Sequence, residues 1–188
     1  MKTIDLAEQT RLLGLVPGEL EDLHAEIDGV RDGDITRPVR EIAPIAARIH
    51  HLSIRCLQQL DTLSTSQYAV MKQGPEALAR LSEAALRISV AASLCTYGIT
   101  GRTDALLYED GDRTAGTSRG YLSEAVEELS RAASAYRGLA QHLSRRLASA
   151  AARAKDQPLI DRATAEPALM AAKVPTAPAV PTARTRRS

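Results

Sequence analysis

Between Ser118 and Lys155 the chain repeats one pattern without a break: Leu122, Ala125, Leu129, Ala132, Tyr136, Leu139, Leu143 and Leu147 follow one another at steps of three or four residues. Wound at about 100° per residue, these side chains share one face, and Glu124, Glu127, Glu128, Arg145, Arg146 and Arg153 gather away from it. A strand, with its period of two, cannot use this spacing. A long amphipathic helix can, and its stripe then needs other apolar surfaces to cover it. Gly138 is the weak point of this helix, at a cost of about 1 kcal/mol relative to Ala.

The covering surfaces lie upstream. Ile42, Ile45, Ile49, Leu52, Cys56 and Leu63 repeat the spacing, which predicts a helix ending near Ser64. Pro38 suits its first turn, whereas Pro44 inside an established helix would cost about 3 kcal/mol, so the regular helix is expected to begin near Glu41 or to kink at Pro44. Gly74-Pro75-Glu76 reads as a third start, followed by Leu78, Leu81, Ala85, Ile88, Ala92, Cys95 and Ile99. Ala84, Ala85, Ala91 and Ala92 would let a neighbouring helix come close. At the N-terminal end, Leu20, Leu23, Ile27 and Val30 predict a short helix over 19–30, and Ile4 to Leu15 a further turn or two closed by Gly14 and Pro17.

With no Phe, no Trp and five Tyr, the core must be built from aliphatic side chains and Ala. That favours closely packed helices over a sheet sandwich, in which aromatic and β-branched residues are enriched. The expected fold is all-α: an antiparallel helical bundle of three long helices plus one or two short N-terminal helices, occupying residues 1–156. Residues 98–120 carry five glycines and are expected to form a long flexible loop. Residues 157–188, with prolines at 158, 167, 175, 178 and 181, are expected to be a Pro/Ala-rich, disordered, basic tail.

The net charge of +1 hides an asymmetry: residues 1–64 hold 7 basic and 11 acidic side chains, and 118–188 hold 12 basic and 6 acidic. This layout suits intramolecular helix pairing, self-association, or an acidic partner for the C-terminal part. Asp5, Glu8 and Arg11 interrupt the apolar run of roughly 7–15 residues that a signal peptide needs. The charge-free stretch between Arg87 and Arg102 is shorter than the roughly 18 residues of a membrane span. A cytoplasmic protein with no membrane partner is expected, and the predominance of Arg and Ala fits a GC-rich bacterial coding sequence.

Catalytic and metal motifs are missing. Adjacent His50 and His51 cannot face one ion from one helix, and Cys56 takes a seam position, so the three do not converge. Glu21-x-x-His24 is an isolated carboxylate–imidazole pair, whereas a di-iron bundle uses two such motifs and two more glutamates. Cys56 and Cys95 form neither a disulfide framework nor a C-x-x-C site and are expected to be buried and reduced. The acidic run at 104–112 lacks the alternating ligands of a calcium loop; a minor reading makes Leu106, Leu107 and Tyr108 a docking peptide. No catalytic residue, cofactor or metal ligand is expected. The expected function is non-enzymatic: association with a second copy or with a helical protein partner. The alternative is an accessory or regulatory nucleic-acid-binding protein whose phosphate contacts are Arg145, Arg146, Arg153, Arg184, Arg186 and Arg187. Glu124, Glu127 and Glu128 on the same face, and the lack of an aromatic platform, weigh against it.

Overall fold

The computed structural model describes the backbone of residues 3–71, 73–108 and 111–171, and their side chains apart from those of 111–116, 152, 155–157 and 159–171. Among the described residues the regular structure is entirely helical: α1 (Leu6–Asp32), α2 (Pro38–Ser64), α3 (Gly74–Tyr108) and α4 (Gly111–Ala171), with a 3-10 turn at Gln67–Val70 between α2 and α3. Residues 1–145 make one compact unit and 146–188 a second.

Each start has a local cause. The Asp5 carboxylate caps α1, with Oδ1 accepting from the Ala7 amide at 2.8 Å and the Glu8 amide at 3.4 Å. Pro38 opens α2 at a position where its missing N–H is no loss, and Glu41 accepts from the Arg37 amide at 3.3 Å. Ser66, fully buried, caps the 3-10 turn: its Oγ accepts from the Tyr68 amide and donates to the Leu63 carbonyl. Ile4 is held to that turn by both of its backbone groups, its N–H donating to Gln67 Oε1 at 2.9 Å and its C=O accepting from Gln67 Nε2 at 2.8 Å.

Four expectations change. The two short N-terminal pieces are one 27-residue helix with Pro17 inside it. Proline at 17 forfeits one backbone bond to Leu13, but Leu13, Val16, Leu20, Leu23 and Ile27 are buried in unbroken three–four phase across it, and that burial outweighs the loss. Likewise α2 starts at Pro38 rather than Glu41, with Pro44 inside. The glycine-rich stretch 98–120 is helical in its described parts: α3 continues to Tyr108 and α4 begins at Gly111. Gly98 is buried where α3 meets α4, an ideal Cβ there lying 3.3 Å from Leu122 Cδ2, so its role is close approach rather than turning. Of the expected tail, 157–171 has a helical backbone, and 172–188 lies outside the described residues. Each proline removes a single N–H, and Ala, Leu and Met between them are strong helix formers.

The core of the first unit draws on all four helices: Leu13, Leu20 and Ile27 of α1, Ile42, Ile49 and Leu52 of α2, Leu81 and Ile88 of α3, and Leu122, Leu129 and Tyr136 of α4 are essentially inaccessible. Alanine fills much of the α3 contribution, with Ala84, Ala85, Ala91 and Ala92 at 0–1% exposure. Polar pairs record which helices meet. Glu26–Arg48 and Glu19–Arg55 join α1 to α2, and the Ser53 and Ser89 hydroxyls meet at 2.6 Å between α2 and α3. Arg87–Glu128 and Ser118–Gly98 join α3 to α4, and Glu21–Arg137 joins α1 to α4. Arg102 of α3 donates to the Ile35 carbonyl at 2.6 Å, tying down the chain that enters α2.

Candidate functional site

An open groove of about 640 Å³ lies between α3 and α4. It is lined by the small or aliphatic residues Ala77, Ala84, Ala135, Gly138 and Leu139 and by Glu76, Arg80, Glu83, Arg87, Arg131, His142 and Arg145. Helical periodicity explains the mixture: the groove is where each core stripe gives way to its charged flank.

The charges divide along its length. Glu128 sits between two guanidinium groups, accepting from Arg87 at 2.9 Å and Arg131 at 2.6 Å, while Arg87 also reaches Glu83 at 2.6 Å and Arg131 reaches Glu127 at 2.8 Å. The paired carboxylates hold the Arg87 guanidinium above its usual range. Of the three carboxylates in this network only Glu83 lines the groove, beside the two guanidiniums. Among the described residues Arg80 makes no ion pair with a carboxylate, and Arg145 donates its Nε to the Gln141 carbonyl at 3.3 Å. His142 lies one helical turn before Arg145, and Glu76 and Glu83 are the acids lining the groove among the described residues.

The expected anion contacts are thus treated unequally. Arg145 is exposed along the groove, which Arg80 and His142 also line. Arg146 and Arg153 belong to the second unit, where Arg153 is exposed and donates to the Ser149 carbonyl at 3.3 Å. Arg184, Arg186 and Arg187 lie outside the described residues.

A second groove, about 270 Å³, runs between α1 and α2 over Val16, Leu52 and Cys56, with Leu12 and Leu15 at its lip. Gln59 Nε2, in its wall, is buried without a hydrogen-bond partner. On the outer side of α2 and α3 stand Ile54, Leu57, Leu86 and Val90, 39–63% exposed. Ile54 follows Ser53 and Leu57 lies one turn on; Leu86 lies one turn before Ser89 and Val90 follows it. The four therefore surround the outward edge of the Ser53–Ser89 contact.

The histidines, cysteines and the Glu21–His24 pair are separated. His50 and His51 are exposed and Cys56 is buried. Glu21 pairs with Arg137, and His24 Nδ1 lies 3.3 Å from Asp28 instead. Burial raises the Cys56 thiol pKa and pushes that of Cys95 up to about 12. Tyr136 is wholly buried with its hydroxyl beside the Cys56 thiol and no oxygen or nitrogen partner, and burial drives its pKa far upward. Among the described residues no three His, Cys, Asp or Glu side chains gather as a metal site, and no helix is long and apolar enough to cross a membrane. No family model, no curated protein and no solved structure matches this chain.

Proposed function

We propose that the four helices form an antiparallel bundle and that the protein acts without catalysis, by association with a second copy or a helical partner. The antiparallel arrangement is supported by the pairings of α3 with α4, whose partner falls from Glu128 to Ser118 as the α3 residue rises from Arg87 to Gly98. The observation that carries the association reading is the outward cluster Ile54, Leu57, Leu86 and Val90, contiguous apolar surface on two neighbouring helices, which a partner would remove from water. Sedimentation velocity across a wide concentration range tests it. Self-association is expected to be lost in the double variant Ile54→Lys, Leu86→Glu with helix content unchanged. A strictly monomeric protein that also retains no helical partner from its own cell extract sinks the reading.

A second reading, an accessory or regulatory nucleic-acid-binding protein, draws on Arg145 and Arg153, whose guanidinium groups face backbone carbonyls rather than carboxylates. It requires salt-sensitive binding to duplex or single-stranded DNA that weakens when Arg145, Arg146, Arg153, Arg184, Arg186 and Arg187 are neutralised.

A further inference from the structure

We infer that the outward α2/α3 cluster is covered by a second copy of this chain, with α2 packed antiparallel to its counterpart so that His50 of each copy meets the partner's Asp61. The inference rests on the association reading and adds to it the occupant and the register.

The outer face of α2 carries a second stripe. His50, Ile54, Leu57 and Asp61 follow one another at steps of four, three and four residues, all exposed, on the side away from the buried stripe of Ile49, Leu52 and Cys56. That spacing is the seam of a two-helix coil. Its apolar members stand in the middle, and its ionisable members lie four residues outside them, His50 before Ile54 and Asp61 after Leu57. When two identical helices pack antiparallel, a residue before the two-fold axis meets the residue equally far beyond it. An axis crossing α2 between Arg55 and Cys56 therefore sets Ile54 against the partner's Leu57 and His50 against the partner's Asp61, each contact occurring twice. A parallel pair would oppose His50 to His50 and Asp61 to Asp61.

The ion pairs within the chain leave this stripe free to be used. Arg48 and Arg55 of α2 are held by Glu26 and Glu19, but among the described residues neither His50 nor Asp61 enters an ion pair. An imidazole N–H can donate to a carboxylate, and the contact strengthens when the imidazole is charged. The neighbouring helix joins in the same interface. The Ser53–Ser89 contact puts Leu86 and Val90 level with Ile54, and a two-fold axis in the interface, perpendicular to the helices, that stacks α2 on α2 also brings α3 over α3. Between Arg87 and Arg102 the sequence of α3 has no charged residue, so this stretch brings no like charges together. All four apolar side chains of the cluster are then covered.

Two measurements on the full chain test the register and the charge pairing. Mixing affinity-tagged His50→Cys with untagged Asp61→Cys under a mild oxidant should give a disulfide-linked heterodimer, and each variant alone at least tenfold less, because antiparallel packing leaves the two copies of either position about 16 Å apart along the helix. The parental chain, whose Cys56 and Cys95 are buried, is the control. In sedimentation velocity Asp61→Arg should weaken the dimer at least tenfold, and adding His50→Asp should restore it to within threefold of the parent, with helix content unchanged in both. A dimer whose cysteine variants link to themselves as readily as to each other, or do not link, or in which His50→Asp fails to rescue Asp61→Arg, overturns the inference and leaves the association reading standing. A chain that stays monomeric at every concentration overturns the inference as well, and the association reading then depends on a helical partner alone.

Discussion

The Ser118 hydroxyl of α4 donates a 2.7 Å hydrogen bond to the Gly98 backbone carbonyl of α3, and both residues are buried. Ser118→Ala removes the donor and should lower unfolding free energy by about 1 kcal/mol in urea melts. Gly98→Val pushes branched atoms into Leu122, already 3.3 Å from an ideal Cβ, and should cost about 1–3 kcal/mol. Equal, negligible effects of both would mean that this contact does not hold α3 to α4.

Gly74 and Gly138 should respond to alanine in opposite directions. A Cβ at Gly74 would lie 2.1 Å from the Tyr68 carbonyl oxygen, a backbone atom fixed by the 3-10 turn. Gly74→Ala is therefore expected to destabilise by at least about 2 kcal/mol. Gly138 has open space around it within α4, so Gly138→Ala should stabilise by about 0.5–1 kcal/mol. Thermal melts of the two variants check the sign of each.

At Tyr136 the ring fills space but its hydroxyl lacks a strong partner. Tyr136→Phe should leave stability unchanged or raise it by up to about 1 kcal/mol, because an unsatisfied buried hydroxyl is removed. Leu129→Ala, at the same depth, should cost about 2–5 kcal/mol through lost transfer energy and a cavity. Chemical denaturation separates these outcomes clearly.

The buried thiols set an alkaline limit. Both have folded pKa values raised above the ordinary 9.0, so the folded state holds protons that the unfolded chain releases. Their stabilising effect is complete below pH 9 and is lost as pH rises from 9 toward about 12, the value for Cys95. Cys95 contributes a slope of about 1.4 kcal/mol per pH unit in that window, and Cys56 acts in the same direction. Unfolding free energies measured from pH 8 upward should fall, and a Cys56→Ala, Cys95→Ala variant should flatten the curve. The native thiols should also resist alkylation at neutral pH and react on unfolding.

How much of this was legible in the sequence depends on what each residue had to reveal. The stripes of α2, α3 and α4 were readable because Ile49, Ile88 and Leu129 sit in long runs of one period, and the same residues are buried. Pro17 and the glycines of 98–120 suggest breaks in the sequence, yet the described backbone around them is helical. The corrective signal lay in the phase: Leu13, Val16 and Leu20 keep step across Pro17, and Ala91, Gly98 and Ala105 lie seven apart. The groove was not legible, since its lining comes from two helices and only the packing of α3 on α4 brings Arg80 and Arg145 to the same groove. Charge counts along the chain could not separate the arginines that Glu83, Glu127 and Glu128 engage from those left unpaired.

The Gln67 side chain grips both backbone groups of Ile4, as a neighbouring strand would. Deuterium uptake at the Ile4 amide should therefore follow opening of the 3-10 turn rather than fraying of the first residues, so that two segments 63 positions apart in the chain share one exchange rate.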